Sequence, residues 1–184
     1  MLKTRDLYEV PVLFELLLHP KVYPYVRDKA DSIDEYYFLT KKTIEAENRG
    51  ELISRTILDE YEKPIGTINL YDIRDNYGFL ATWLGRPYFG KGYNKIAKEQ
   101  FFNELFFERG MEGIFMKVRR TNQRSIHAVM KLPYVLHANS LFPEVFDEIN
   151  KENNVFELFV ITKEHYANYV PFTREESQGD EEVS

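Results

Sequence analysis

Trp83-Leu84-Gly85-Arg86-Pro87-Tyr88-Phe89-Gly90-Lys91-Gly92-Tyr93-Asn94 is the stretch on which the reading of this chain turns. A strand-like run ends at its first residues and apolar residues at helical spacing follow its last, so Gly90 and Gly92 lie where a strand gives way to a helix. Glycine tolerates the positive φ that such a turn needs. A turn of this kind aims several backbone N–H groups at one point, at the positive end of the helix, and a phosphate fits there. The plainer alternative is a turn that needs glycine for its backbone alone.

Two other glycine signatures are absent. The spacing G-x-G-x-x-G fails because Lys95 stands at the third glycine position, and the P-loop spacing fails because Lys91 lies between the glycines. Upstream, Leu52 to Leu58, Pro64 to Tyr71 and Gly78 to Leu84 read as strands separated by the polar runs Asp59 to Lys63 and Asp72 to Tyr77. They predict an antiparallel meander that ends at the glycine turn. Downstream, Ile96, Ala97, Phe101, Phe102, Leu105 and Phe106 recur at helical spacing, Gly110 stops the helix, and Gly113 to Val118 reads as a short buried strand. The resulting β-turn-α-β unit predicts that its two strands are parallel neighbours.

Thr121 or Asn122 is placed to cap a further helix with Ile126, Val129 and Met130 on its apolar face, blocked at Pro133. Tyr134 to Ala138 and Val155 to Ile161 are strand candidates, and the segment between them, Asn139 to Asn154, has room for a short helix. Near the N-terminus, Asp6 is placed to cap a helix carrying Leu7, Val10, Leu13, Phe14, Leu17 and Leu18, with Pro20 at its end. Ser32 and Glu35 form a capping box for a second helix, and Gly50 is placed to end it. Residues 1–172 are expected to form one domain, and the acidic run at 173–184, nearly free of large apolar residues, a disordered tail.

Composition narrows the function. With 43% hydrophobic and 29% charged residues in 184, the chain has the make-up of a globular protein. Cysteine is absent, which excludes disulfides, thiolate metal sites and a cysteine nucleophile and fits a reducing cytoplasm. No apolar run of about 18 residues occurs, so neither a membrane span nor a membrane partner is expected. A net charge of −6 argues against nucleic acid as a partner. The one basic cluster, Lys117, Arg119, Arg120 and Arg124, suits an acidic small molecule better than a duplex. No group of His and carboxylate residues has metal-ligand spacing, so no metal is assigned.

The order helix, helix, β-meander, glycine turn, helix, strand, helix, strand, strand resembles the GNAT acyltransferase superfamily, and within it the branch that acetylates N-terminal amines of ribosomal proteins. Trp83-Leu84 resembles the end of the family's fourth strand, Pro87 to Tyr93 its pyrophosphate loop, and Asn122-Gln123-Arg124-Ser125 its N-x-x-S motif. Met130-Lys131-Leu132-Pro133-Tyr134 sits where the branch has a Glu-Lys-Leu-Gly-Phe run. The similarity covers roughly residues 1–165.

The resemblance implies an α+β fold: a central mixed, mostly antiparallel twisted sheet with flanking helices and a parallel pair splayed around the cofactor. It implies acetyl-CoA as co-substrate and an amine as acceptor. Cofactor contacts fall on Trp83, Leu84, Phe89, Gly90, Lys91, Gly92, Tyr93, Asn94, Asn122 and Ser125. Asn122 and Ser125, three residues apart, share a helix face; the alternative is that they only start and cap that helix. Oligomeric state stays open, a homodimer included.

Acyl transfer to an amine needs the amine unprotonated, a donor for the carbonyl oxygen, and a proton for the thiolate. A lysine-like amine, with a pKa of about 10.4, needs more help than an N-terminal amine at about 7.7–8.0. Here the chain departs from the family. The strand position that commonly carries an acidic residue, four before the tryptophan, holds Phe79, and the helix position of the usual tyrosine, seven after the asparagine, holds Val129. No catalytic acid or base is therefore assigned.

Asp72, Asp75 and Tyr71 near the acceptor entrance, His127 on the helix and Tyr166 near the C-terminus are substitutes with ordinary structural alternatives. Tyr23, Tyr25, Tyr36, Tyr37 and Phe38 border the two N-terminal helices and read either as an acceptor wall or as core. The leading expectation is an acetyl-CoA-dependent N-acetyltransferase that works by direct attack of an amine of a small molecule or a protein N-terminus. The alternative is a catalytically weak acyl-CoA-binding sensor or interaction protein of the same fold.

Overall fold

The capping box forms: in a computed structural model, which describes residues 1–170, the Ser32 Oγ accepts from the Glu35 N–H at 3.1 Å and opens helix α2 (Ile33–Asn48). The Glu35 carboxylate reaches back to the Asp31 N–H at 2.7 Å, one residue earlier than the usual reciprocal bond. Gly50 follows the helix with φ +75°. The acidic tail expected at 173–184 lies outside the described residues.

The described residues divide into two compact units, the first Met1–Gly110 and the second starting at Met111. In the first, helix α1 (Val10–Leu17) begins later than Asp6 suggested. Asp6 Oδ1 accepts from the N–H groups of Tyr8 (2.8 Å) and Glu9 (3.2 Å), so it closes a turn ahead of the helix. Val10, Leu13 and Leu17 are buried, whereas Leu7 and Leu18, expected on the same stripe, are exposed. Val10, Leu13, Leu17, Val22, Val26, Ala30 and Tyr36 form one apolar cluster, and Phe14, Leu39 and Trp83 pack against it.

Strand β1 (Leu2–Thr4), too short to carry a periodic signal, pairs with β2 (Ile53–Leu58). β2 pairs with β3 (Pro64–Arg74), and β3 with β4 (Tyr77–Leu84), all antiparallel, as the meander predicted. The polar turn expected over Asp72 to Tyr77 is tighter than that. Both strands continue to Arg74 and Tyr77, leaving Asp75-Asn76, with φ +50° and +63°, as a two-residue turn of the primed kind that matches strand twist. Asp72, at φ +53°, lies in the bulge between Tyr71 and Arg74.

One side of β2 and β3 carries the polar residues Ser54, Thr56, Thr67 and Asn69, all buried. They are satisfied by each other and by Glu9, whose Oε1 accepts from Thr56 Oγ1 and from Arg5 Nε, each at 2.6 Å. Helix α3 (Tyr93–Asn103) runs on into a π-helical turn, Glu104–Glu108, before Gly110. Ala97, Phe101, Phe102, Leu105 and Phe106 are buried as expected, while Ile96 is exposed. The buried Arg55 guanidinium ties this turn down by pairing with Glu104 and with Glu47 of α2.

In the second unit, β5 (Gly113–Arg119), β6 (Leu136–His137) and β7 (Phe156–Thr162) form antiparallel ladders with β7 in the middle. Between them lie α4 (Gln123–Met130) and α5 (Pro143–Asn150), the short helix for which 139–154 had room. The strand expected over Tyr134 to Ala138 shrinks to two residues. Tyr134 turns inward to meet the buried Tyr166 ring edge-on at 5.2 Å, and that aromatic contact takes it out of the ladder. On α4, Val129 is buried and Met130, expected beside it, is exposed. No helix among the described residues is long and apolar enough to cross a membrane.

Candidate active site

The turn between β4 and α3 is built from three backbone devices in a row. β4 ends at Leu84, opposite Gly66 of β3, and the Gly85 N–H then donates to the Ile65 carbonyl at 2.8 Å. A Cβ on Gly66 would sit 2.1 Å from the Trp83 carbonyl oxygen, so the bare backbone of β3 lets the end of β4 lie flush against it. Sequence reasoning missed Gly66; its signal was an isolated glycine inside a strand pattern.

Arg86–Tyr88 then make one 3₁₀ turn, and Gly90 (φ +72°) and Gly92 (φ +86°) both lie in the left-handed region. A Cβ on either would meet nothing within 4 Å, so their role is conformation and not room.

Gly92 is the N-cap of α3 and offers it no side-chain cap. The first helical bond runs from the Ile96 N–H to the Gly92 carbonyl at 3.2 Å. Among the described residues, no acceptor serves the six consecutive N–H groups from Gly90 to Lys95. Exposed helix-start donors point at whatever occupies the turn, and the dipole of an eleven-residue helix favours an anion there.

Side chains frame this turn. Phe89, Lys91 and Asn94 are exposed, Tyr93 meets Tyr88 edge-on at 5.8 Å, and Lys91 Nζ stands 5.9 Å from the Tyr88 ring. The Tyr93 hydroxyl donates to Glu60, a residue of the β2–β3 turn, and that bond pushes the Tyr93 pKa up to about 12 and holds the Glu60 carboxyl below its ordinary range. Trp83 faces the α1–α2 cluster and pairs with Thr67 across the strands.

In the second unit, Asn122 is the N-cap of α4: its Oδ1 accepts from the Ser125 N–H at 3.2 Å and its carbonyl from the Ile126 N–H at 3.1 Å. The hydrogen bonds of the alternative reading, in which these two residues start and cap the helix, are present, Asn122 through its side chain and Ser125 through its N–H. The basic cluster is partly spoken for. Arg120 Nε pairs with Glu157 at 2.7 Å, its Nη1 donates to the Asn154 carbonyl at 2.7 Å, and the guanidinium of Arg119 lies 5.4 Å from the Phe156 ring.

The substitutes for an acid or base separate. His127 is exposed and its Nδ1 lies 2.7 Å from the Gln123 carbonyl, so it serves its own helix. Tyr166 is core. Of the aromatic group, Tyr36 is buried at 6% exposure while Tyr25, Tyr37 and Phe38 are exposed, so it is not one wall. Tyr71 is the one that lies in a polar setting: its hydroxyl donates to Asp28 Oδ2 at 3.0 Å, and Arg27 stacks on its ring at 4.0 Å.

The comparisons with known proteins agree with this architecture. The family model "Acetyltransferase (GNAT) domain" matches residues 2–134. Among solved structures, a mutant of the spermidine N-acetyltransferase SpeG from Vibrio cholerae superposes with a TM-score of 0.70 at 17% identity, covering 91% of this chain and 98% of that one. A dodecameric structure of the Vibrio cholerae spermidine N-acetyltransferase gives 0.70 at 16% identity, covering 91% and 96%. Apo FdhC, a nucleotide-linked sugar GNAT, gives 0.72 at 17% identity, covering 94% and 92%. No curated protein matches the sequence. The matched family model spans well over half of the chain and the fold is that of its solved relatives: the chain belongs to the GNAT family of acetyltransferases.

Proposed function

We propose that the protein is an acetyl-CoA-dependent N-acetyltransferase that passes an acetyl group directly to the amine of a small molecule or a protein N-terminus. The observation that carries this is the run of N–H groups from Gly90 to Lys95 that have no protein acceptor, opened by Gly92 in the left-handed region. In this reading the amides of Phe89 to Asn94 hold the pyrophosphate, Lys91 adds charge, and the backbone of Trp83 and Leu84 pairs with the amide-rich pantetheine arm. The resemblance adds Asn122 and Ser125 to the cofactor contacts. Bound acetyl-CoA supplies the activated acetyl carbon; the chain's own residues bind it and bring an unprotonated amine to it.

The solved neighbours differ in what they act on, spermidine in one and a nucleotide-linked sugar in the other, which leaves the carrier of the acceptor group open. The motif resemblance to ribosomal-protein acetyltransferases keeps a protein N-terminus in the set. The dodecamer among the neighbours supports self-association, and the lack of cysteine supports a cytoplasmic setting.

The sensor reading is favoured by Phe79 and Val129 at the usual base and acid positions. One experiment separates the two. Acetyl-CoA at a hundred times its Kd stabilises the protein by about 2.7 kcal/mol and raises its melting temperature in either case. Release of free thiol on adding a panel of amines is expected of a transferase; a thermal shift with no thiol from any amine assigns the protein as a sensor, and no shift removes both readings.

A further inference from the structure

The transferase reading leaves one proton without a destination, because an amine arrives as an ammonium and β4 presents Phe79 where a carboxylate would take that proton. The residue directly across from Phe79 is Tyr71 on β3. Its hydroxyl is turned to Asp28 Oδ2. Burial raises the Tyr71 pKa, and the Asp28 charge and hydrogen bond add to it, outweighing the opposite pull of Arg27 and Arg5. Tyr71 therefore stays protonated and acts as a fixed donor that orients the carboxylate.

Asp28 belongs to the connection between α1 and α2, and that segment is pinned on both sides. Val26 is 6% and Ala30 1% exposed, so the three residues between them form a short arch anchored in the apolar cluster. Lys29 Nζ donates to the Val26 carbonyl at 3.0 Å and closes the arch on itself. Arg27, stacked on Tyr71, pairs with Asp72 Oδ2 at 3.2 Å. The Arg27 guanidinium is thus paired with Asp72 and the Lys29 ammonium with the Val26 carbonyl, so each cation next to Asp28 in the chain has another partner. Asp28 itself is exposed, and its Oδ1 has no protein partner among the described residues.

A carboxylate with one oxygen fixed by the half-buried Tyr71 phenol and the other without a protein partner among the described residues, beside the strand that lacks its own base, has the chemistry to receive a cation. We infer that Asp28, held by the positioning residue Tyr71, receives the ammonium of the acceptor and takes its proton, which makes alkylamines the acceptor class. The inference rests on the transferase reading above. One N–H bond of the ammonium breaks and its proton passes to Asp28. The freed lone pair forms the C–N bond at the acetyl carbon as the C–S bond breaks. The thiolate takes up the second amine proton, and Asp28 returns its own to water. The products are the acetamide and the free thiol, with no further reactant.

The test compares two acceptors at one neutral pH, a primary alkylamine that is an ammonium there and an arylamine that is not. Asp28→Asn is expected to lower kcat/KM for the alkylamine by about 100-fold, while the arylamine, the KM for acetyl-CoA and the melting temperature stay as in the wild type. Asp28→Glu restores most of the loss. Tyr71→Phe, which keeps the ring under Arg27, lowers alkylamine turnover about fivefold by releasing one hydrogen bond. Unchanged alkylamine turnover in Asp28→Asn overturns the inference, and so does an equal loss on both amines, which would mark a structural role. A wild-type protein that binds acetyl-CoA yet releases no thiol with any amine removes the transferase reading instead, a result distinct from either.

Discussion

Helix α3 opens on Gly92, which has no side chain to cap it, whereas α4 opens on Asn122, whose Oδ1 accepts from the Ser125 N–H. Both follow a turn out of a strand, and both face the same cost, since the first turn of any helix leaves N–H groups without partners. α4 meets that cost internally. α3 does not: it is longer, eleven residues against eight, and its donors and those of the preceding turn stay open. A capped start is satisfied within the scaffold, whereas an uncapped one with adjoining left-handed glycines leaves donors that suit a ligand bringing its own acceptors. The comparison also explains why the two motifs carry different weight: the amide oxygen of Asn122 is already committed, and only its NH₂ group is left for a ligand.

The comparison breaks most readily at Gly92. In Gly92→Val, a β-branched residue is strained at φ +86° however open the space around its Cβ, so the turn is expected to shift towards negative φ. The relaxed turn no longer gathers its amides. Acetyl-CoA affinity is expected to fall about 100-fold, some 2.7 kcal/mol, while the apo melting temperature drops by only a few degrees, as calorimetry and thermal shift would show. A variant that binds as tightly as the wild type would mean that the open donors are not the phosphate site.

The second test is the reciprocal one. Asn122→Ala removes the cap and is expected to cost about 1 kcal/mol of stability in urea unfolding. Asn122→Asp keeps the acceptor oxygen and suits the positive helix end, so stability is retained. If the NH₂ of Asn122 also serves the cofactor, both variants weaken acetyl-CoA binding, though only the alanine destabilises the fold. Equal binding in wild type and Asn122→Asp would confine this residue to the helix.

The same contrast marks what could be read from the sequence. The capping box at Ser32, the meander, the buried face of α3 and an N-cap at Thr121 or Asn122 were all legible, because each shows as a short-range pattern of residue types along the chain. The glycine turn was legible as a turn and as a candidate phosphate site; that its N–H groups have no acceptor among the described residues is visible only once every neighbouring acceptor is placed.

Failures came from tertiary packing. Leu7, Leu18, Ile96 and Met130 fit helical stripes, yet their helices begin, end or rotate so that these positions face solvent. The reduction of Tyr134–Ala138 to two strand residues follows from the Tyr134–Tyr166 contact, between residues 32 apart in the chain. Gly66 shows its purpose only beside the Trp83 carbonyl, and Asp28 only beside Tyr71, a partner 43 residues away.

Charge at the open turn sets a smaller effect. Lys91 is exposed and makes no ion pair among the described residues, so Lys91→Ala would remove the one screened attraction it offers a pyrophosphate in the proposed site without touching the amides. Affinity for acetyl-CoA is expected to fall about threefold to fivefold at low salt and less at 0.15 M, where the Debye length is about 8 Å. A loss that does not shrink with added salt would mean that Lys91 shapes the turn instead of charging it.

The smallest expected effect lies at the other helix start and appears only in acid. Arg120, two residues before Asn122, is held by Glu157, which also accepts from Asn139 Nδ2 and lies 2.7 Å from His137 Nε2. Burial alone would raise the Glu157 carboxyl, but the hydrogen bonds from Arg120, His137 and Asn139 outweigh it and hold its pKa below the ordinary glutamate value of 4.5. A folded-state pKa below the unfolded one means that the unfolded chain binds the proton first. The stabilisation is therefore complete above pH 4.5, where both states are ionised, and fades as pH falls through the depressed value. Glu157→Gln is expected to lose this acid limb, so that wild type and variant converge in stability as pH drops from 5 towards 3. Because Arg120 anchors the approach to α4 and not to α3, acetyl-CoA affinity at neutral pH should be the same in both proteins; a weaker affinity in Glu157→Gln would show that the capped helix start is not mere scaffold after all.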